Sequence, residues 1–185
     1  NYIMISKRSR ENAMLNAHIS HQPVSVMTAV NFGELKMSHN PAETLVAFSI
    51  GSGIGVSIYD PITRCGGLLN FVLPDSSMLS PSKAHIQPSM FADTGLAALF
   101  DALSDFGAQR ENFKVVLAGG AQIIDQTAEF NIGHKNHQAI TSLLKAEDLT
   151  IQHADIGGIF LRTLRLDMSN GDNVIQTSGQ KEVTV

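Results

Sequence analysis

The side chains best suited to chemistry lie in and just after residues 50–74, IGSGIGVSIYDPITRCGGLLNFVLP: the hydroxyl of Ser52, the thiol of Cys65 and, further on, the imidazole of His85. A hydroxyl or thiol beside a histidine is the minimum for nucleophilic attack on an amide, with the imidazole taking the proton. Two more histidine pairs, His18 with His21 and His134 with His137, are spaced three apart, which sets both rings of a pair on one helix face. A pair without a third ligand makes no zinc site, so no metal is expected and solvated histidines are the simpler reading. The run Gly51-x-Gly53-x-Gly55 lacks the glycine spacing of a dinucleotide loop. It leads into an alternating pattern rather than a helix start, so no helix dipole is waiting for a phosphate.

What must position these groups is a pair of strands. Ile54, Val56 and Ile58 alternate with Gly53, Gly55, Ser57 and Tyr59, giving one apolar and one small or polar face. Asp60-Pro61-Ile62-Thr63 supplies turn chemistry, and the return strand puts Leu69, Phe71 and Leu73 opposite in sense to Leu68, Asn70 and Val72. Closing the turn between Asp60 and Thr63 predicts Ile54 opposite Leu69, Gly53 opposite Asn70 and Cys65 near Ile58. Five residues at about 3.3 Å each then put Cys65 roughly 16 Å from position 53. Ser52 points to the opposite strand face from position 53, so neither side chain stands in at that position. Cys65 reads as a small residue near a strand end.

These residues resemble the CheD family, the chemoreceptor glutamine deamidases of bacterial chemotaxis. Gly51-Ser52, Val56, Tyr59-Asp60-Pro61, Gly66-Gly67, Phe71 and Leu73-Pro74 match that family's paired-strand motif. The likeness continues through Phe91-Ala92-Asp93-Thr94, Leu117-Ala118-Gly119-Gly120-Ala121, Ile132-Gly133-His134-Lys135-Asn136 and Asp155-Ile156-Gly157-Gly158, from about residue 24 to 180. By this resemblance the family's nucleophilic Cys falls at Gly53, its His at Asn70 and its Thr at Ala47. Glycine offers no nucleophile and asparagine does not titrate, so no catalytic residue is expected. The resemblance implies instead a binding site at Ser52, Gly53, Asn70 and Phe71, where Asn70 offers hydrogen bonds to a glutamine amide. The partners it implies are Gln-bearing cytoplasmic helices of chemoreceptors or the phosphatase CheC, with no cofactor. The alternative it leaves open is a working deamidase with a non-standard site.

The rest of the chain fits one domain. At 185 residues, with 43% apolar and 16% charged residues, it is long enough for a substantial core. A net charge of −4 gives no footprint for nucleic acid. One cysteine excludes an intramolecular disulfide and fits a reducing compartment. No apolar run reaches the ~18 residues of a membrane span, and no apolar block follows Lys7, Arg8 and Arg10, so a cytoplasmic protein without a signal peptide is expected. Residues 1–22 read as a polar arm bearing His18 and His21, and 23–185 as the domain. Helical spacing of Phe91 or Ala92, Leu96, Leu99, Phe100, Leu103 and Phe106 after Pro88, stopped by Gly107, and of Ile140, Leu143 and Leu144 after Gly133, predicts two helices, with the phenylalanine stripe in the core. Between them lies a strand over 113–117, and after them come three short strands over 149–176, with a hairpin signal at Asn170-Gly171. Residues 75–87 read as a long loop and the tail beyond Ser178 as frayed. The pattern argues an α+β fold. The resemblance adds a β-sandwich core flanked by helices, similar to the cytotoxic necrotizing factor cysteine-hydrolase fold.

Overall fold

The structure, a computed structural model, describes residues 26–79, 87–122 and 131–185. The arm and His85 lie outside them. Two mixed five-stranded sheets face one another. One contains, in spatial order, β1 (Val26–Ala29), β3 (Glu43–Ile50), β8 (Arg162–Asp167), β9 (Asn173–Thr177) and β10 (Val183–Thr184). The other contains β2 (Glu34–Ser38), β5 (Cys65–Phe71), β4 (Ile54–Asp60), β6 (Lys114–Gly119) and β7 (Ile151–Ile156). Strands β1 with β3 and β6 with β7 run parallel; the other pairs are antiparallel. Two helices, α1 (Ala92–Asp105) and α2 (Ile132–Ala146), pack on the second sheet. The α+β sandwich expected from the sequence is what forms.

The alternation along β4 decides how these layers meet. Ile54, Val56 and Ile58 face the helices, where they pack with Leu69, Phe71, Leu99 and Ile140. The opposite face, with Gly55, Ser57 and Tyr59, turns toward the first sheet. Its small residues let that sheet come close: a methyl group on Gly55 would lie 2.8 Å from Ile50 Cδ1 and 3.2 Å from Leu164 Cδ2. The layer between the sheets is filled by Leu45, Ala47, Tyr59, Leu68, Leu164 and Leu166, among others. Strand β4 is therefore buried along its whole length, as a central strand covered on both faces must be.

The register differs from the expectation by two residues. Ile54 stands opposite Phe71, Gly55 opposite Asn70 and Asp60 opposite Cys65. The turn spans four residues rather than two, with Arg64 at φ 54°. Asp60 holds it, its Oδ1 accepting from the backbone N–H of Ile62 at 2.7 Å and of Thr63 at 3.4 Å. A shift of two leaves every side chain on its expected face, because the strand repeat is two. The chain end also departs from expectation: β10 pairs with β9, placing Val183 opposite Ile175, instead of fraying.

The Asn170-Gly171 turn is tied to the core. Gly171 has φ 79°, and an added Cβ would sit 2.2 Å from the buried Tyr59 ring. Gly171→Ala should destabilise the protein by about 1–3 kcal/mol, read as a lower urea midpoint with unchanged denaturant slope.

Candidate functional site

The site implied by the sequence is assembled where β3 ends, the chain bends through Gly51-Ser52-Gly53, and β4 begins. Strand β3 loses its regular register between Ala47 and Ile50, with Ser49 at φ 53°, and this irregularity delivers the bend. The bend is then held from a second turn. Gly120 donates its N–H to the Gly53 carbonyl and Ala121 to the Gly51 carbonyl, both at 2.8 Å. Such closeness requires glycine at 119, where a Cβ would fall 2.3 Å from the Gly53 oxygen. From the helix side, Asn136 Nδ2 donates to the carbonyls of Ser52 and Val72, each at 2.8 Å.

Gly53 itself faces the end of β5. A Cβ there would lie 2.6 Å from the Phe71 carbonyl oxygen, closer than real Cβ contacts come. Phe71 is fully buried and points its ring toward the helices. Asn70 points the other way, into the layer between the sheets, and is 1% exposed. Its Nδ2 donates to the Val30 carbonyl at 3.1 Å, while its Oδ1 is buried without a partner. Ala47 lies in the same layer and is fully buried. Val30 links the two, since its N–H donates to the Val46 carbonyl at 2.8 Å. Asn70 thus opposes Gly55, not Gly53, and serves as a hydrogen-bonded bridge between sheets. Of the four residues expected to bind a partner, only Ser52 is partly exposed; Gly53, Asn70 and Phe71 are buried.

The other nucleophile candidate is elsewhere. Cys65 sits at the far end of the β4–β5 pair, buried, with its Sγ 3.2 Å from Thr63 Oγ1. Burial pushes the thiol above its ordinary value of 9.0, with the Asp60 charge adding to the rise and the Thr63 hydrogen bond opposing it. It is a protonated, packed thiol at neutral pH. Among the described residues no histidine hydrogen-bonds to Ser52 or Cys65.

His134 and His137 line a cavity of about 310 Å³ that lies between the start of α2 and the turns at Gly120 and Gly157-Gly158. Among the described residues no three His, Cys, Asp or Glu side chains come together in a form that could hold a metal ion. Beside this cavity a buried Arg162 organises the turn after β7. Its Nη1 donates to the carbonyls of Gly157 at 2.7 Å and Phe160 at 3.1 Å, and its Nη2 to Asp155 Oδ1 at 2.8 Å. Burial raises the Asp155 pKa, but hydrogen bonds from Arg162 and Thr177 outweigh it and hold the carboxyl below the usual 3.8.

A two-sheet α+β sandwich with this glycine-clamped bend has close relatives. The family model for CheD chemotactic sensory transduction matches residues 72–177. The probable chemoreceptor glutamine deamidase CheD 1 of Syntrophus aciditrophicus is 41% identical over 150 residues, covering 81% of this chain and 93% of the relative. The probable chemoreceptor glutamine deamidase CheD of Solibacter usitatus is 36% identical over 155 residues, covering 83% and 91%. That of Symbiobacterium thermophilum is 36% identical over 159 residues, covering 84% and 95%. The chain belongs to the CheD family. Among the described residues no helix is long and apolar enough to cross a membrane.

Two outcomes follow from these environments. Cys65 should react with a thiol reagent such as DTNB only when the chain is unfolded. Because Asp155 gives up its proton more readily folded than unfolded, its stabilisation is complete above about pH 4 and is lost as pH falls further. The urea midpoint should therefore drop on acidification, and drop less in Asp155→Asn than in the native chain.

Proposed function

We propose that this chain is a CheD-family chemotaxis protein that binds its partners without deamidating them. The observation that carries the reading is Gly53. The position matching the family's nucleophile has no side chain, and the Phe71 carbonyl stands where a Cβ would project. Asn70, at the histidine's position, has no proton to exchange near neutral pH and is engaged with Val30. Ala47, at the threonine's position, offers no hydroxyl. Removing a nucleophile and base that act as a unit typically costs on the order of a millionfold in rate. What persists is the frame, and docking of a helix depends on surface shape rather than on a thiolate.

The partners that fit this reading are Gln-bearing cytoplasmic segments of chemoreceptors, or a CheC-like phosphatase presenting a similar surface. Both place the protein in the cytoplasm, as a component of the signalling pathway. The competing reading is an active deamidase with a different apparatus, which the names of the relatives favour. Its difficulty is the nucleophile: Ser52 has no histidine partner among the described residues, and Cys65 is buried and protonated.

Restoring the three positions separates the readings. The triple variant Ala47→Thr, Gly53→Cys, Asn70→His is compared with the native chain for binding and deamidation of a chemoreceptor cytoplasmic fragment, followed by mass spectrometry. Both are expected to bind and only the triple variant to convert Gln to Glu. Conversion by the native chain would refute the proposal. A milder version of the same geometry predicts that Gly53→Cys alone lowers the thermal midpoint, because the Phe71 carbonyl must move.

A further inference from the structure

We infer that Asn136 is the positioning residue of this site, setting the separation between the bend at Gly53 and the outgoing end of β5 on which partner docking depends. This rests on the reading of the site as a docking surface. Asn136 lies on the inward row of α2, with Gly133, Ile140 and Leu144. It is fully buried, and its single nitrogen is shared by two carbonyls that are far apart along the chain. One belongs to Ser52, immediately before Gly53; the other to Val72, immediately after Phe71. Two acceptors held at 2.8 Å from one nitrogen cannot drift apart. The same two segments meet at the 2.6 Å approach between a Gly53 Cβ and the Phe71 oxygen. Their spacing therefore sets how closely the bend at Gly53 and the end of β5 approach, and with it the shape of the surface at Ser52.

The choice of residue points to the two carbonyls it joins. Asn136 Oδ1 is buried with no partner, so the residue is held for its donor, and an apolar side chain in this row would take that donor from both carbonyls. A leucine would match Ile140 and Leu144 in the core but could donate nothing. A carboxylate of the same shape would set negative oxygen against both carbonyls. A neutral carboxamide supplies two donors from one nitrogen without burying a charge. Asn136 touches no reacting group; it acts through the two backbone segments it joins.

The test uses the full chain with Asn136→Leu, Asn136→Asp and Asn136→Gln. Affinity for a chemoreceptor cytoplasmic fragment is measured by calorimetry, and amide hydrogen exchange is followed residue by residue. The Leu and Asp variants should bind at least tenfold more weakly and exchange faster at 52–54 and 72–73, with β8 and β9 as protected as before. The Gln variant, which keeps both donors on a longer stem, should fall between them and the native chain. Native affinity in both the Leu and Asp variants would overturn the inference. So would a loss of protection shared equally by β8 and β9, which is the signature of a merely structural role. A native chain that does not bind the fragment would overturn the docking reading itself, a failure visible before any variant is compared.

Discussion

The structure depends on one close approach: backbone against backbone where the bend after β3 meets the end of β5 and the turn after β6. There is room there for glycine and for little else. A side chain at Gly119 would strike the Gly53 carbonyl, and one at Gly53 would strike the Phe71 carbonyl. Hydrogen bonds from Gly120, Ala121 and Asn136 close the approach from two sides. Buried backbone carbonyls must find donors. Here those donors come from segments far along the chain, 84 residues in the case of Asn136 and Ser52, so the bend forms only with the tertiary fold.

This constraint lets the frame form whatever the reactivity of the site. The hydrogen bonds that shape the bend use main-chain atoms and one carboxamide, and the side chains of Asn70 and Ala47 contribute none of the tethers to its carbonyls. Asn70 is tied to Val30 across the inter-sheet layer, and Ala47 fills that layer as a core residue. The fold therefore holds its form with Gly53, Asn70 and Ala47 in place. Identity of 41% with a relative over most of both chains fits the same picture of a preserved scaffold.

Much of the fold was legible in local pattern. The period-two faces of β4 and β5 and the 3.6-residue rows of α1 and α2 are properties of neighbouring residues, and they stand as read except at Phe106, which caps the end of α1 and is exposed where the row predicted core. The register of the β4–β5 pair was not, because it hangs on turn length, and Asp60 caps a four-residue turn where a two-residue one was expected. The tail was misread because β10 forms only through pairing with β9, a partner that propensity does not see. The site was legible only as a set of positions. That Asn70 and Phe71 point to opposite layers followed from alternation, but their burial, and the shared carboxamide of Asn136, arise from tertiary packing. Asn136 carried two signals in the sequence: its place in the stretch that resembles the family, and a polar side chain in register with the apolar row of its helix.

The most direct test of the proposal that this chain binds partners without deamidating them is competition. An active deamidase of the family is given a chemoreceptor cytoplasmic fragment, and the native chain is added in increasing amounts while conversion of Gln to Glu is followed by mass spectrometry. The account predicts that the native chain slows the active enzyme in proportion to its occupancy of the fragment and converts no glutamine when alone. Conversion by the native chain, or an enzyme rate untouched at saturating amounts of it, would contradict the account.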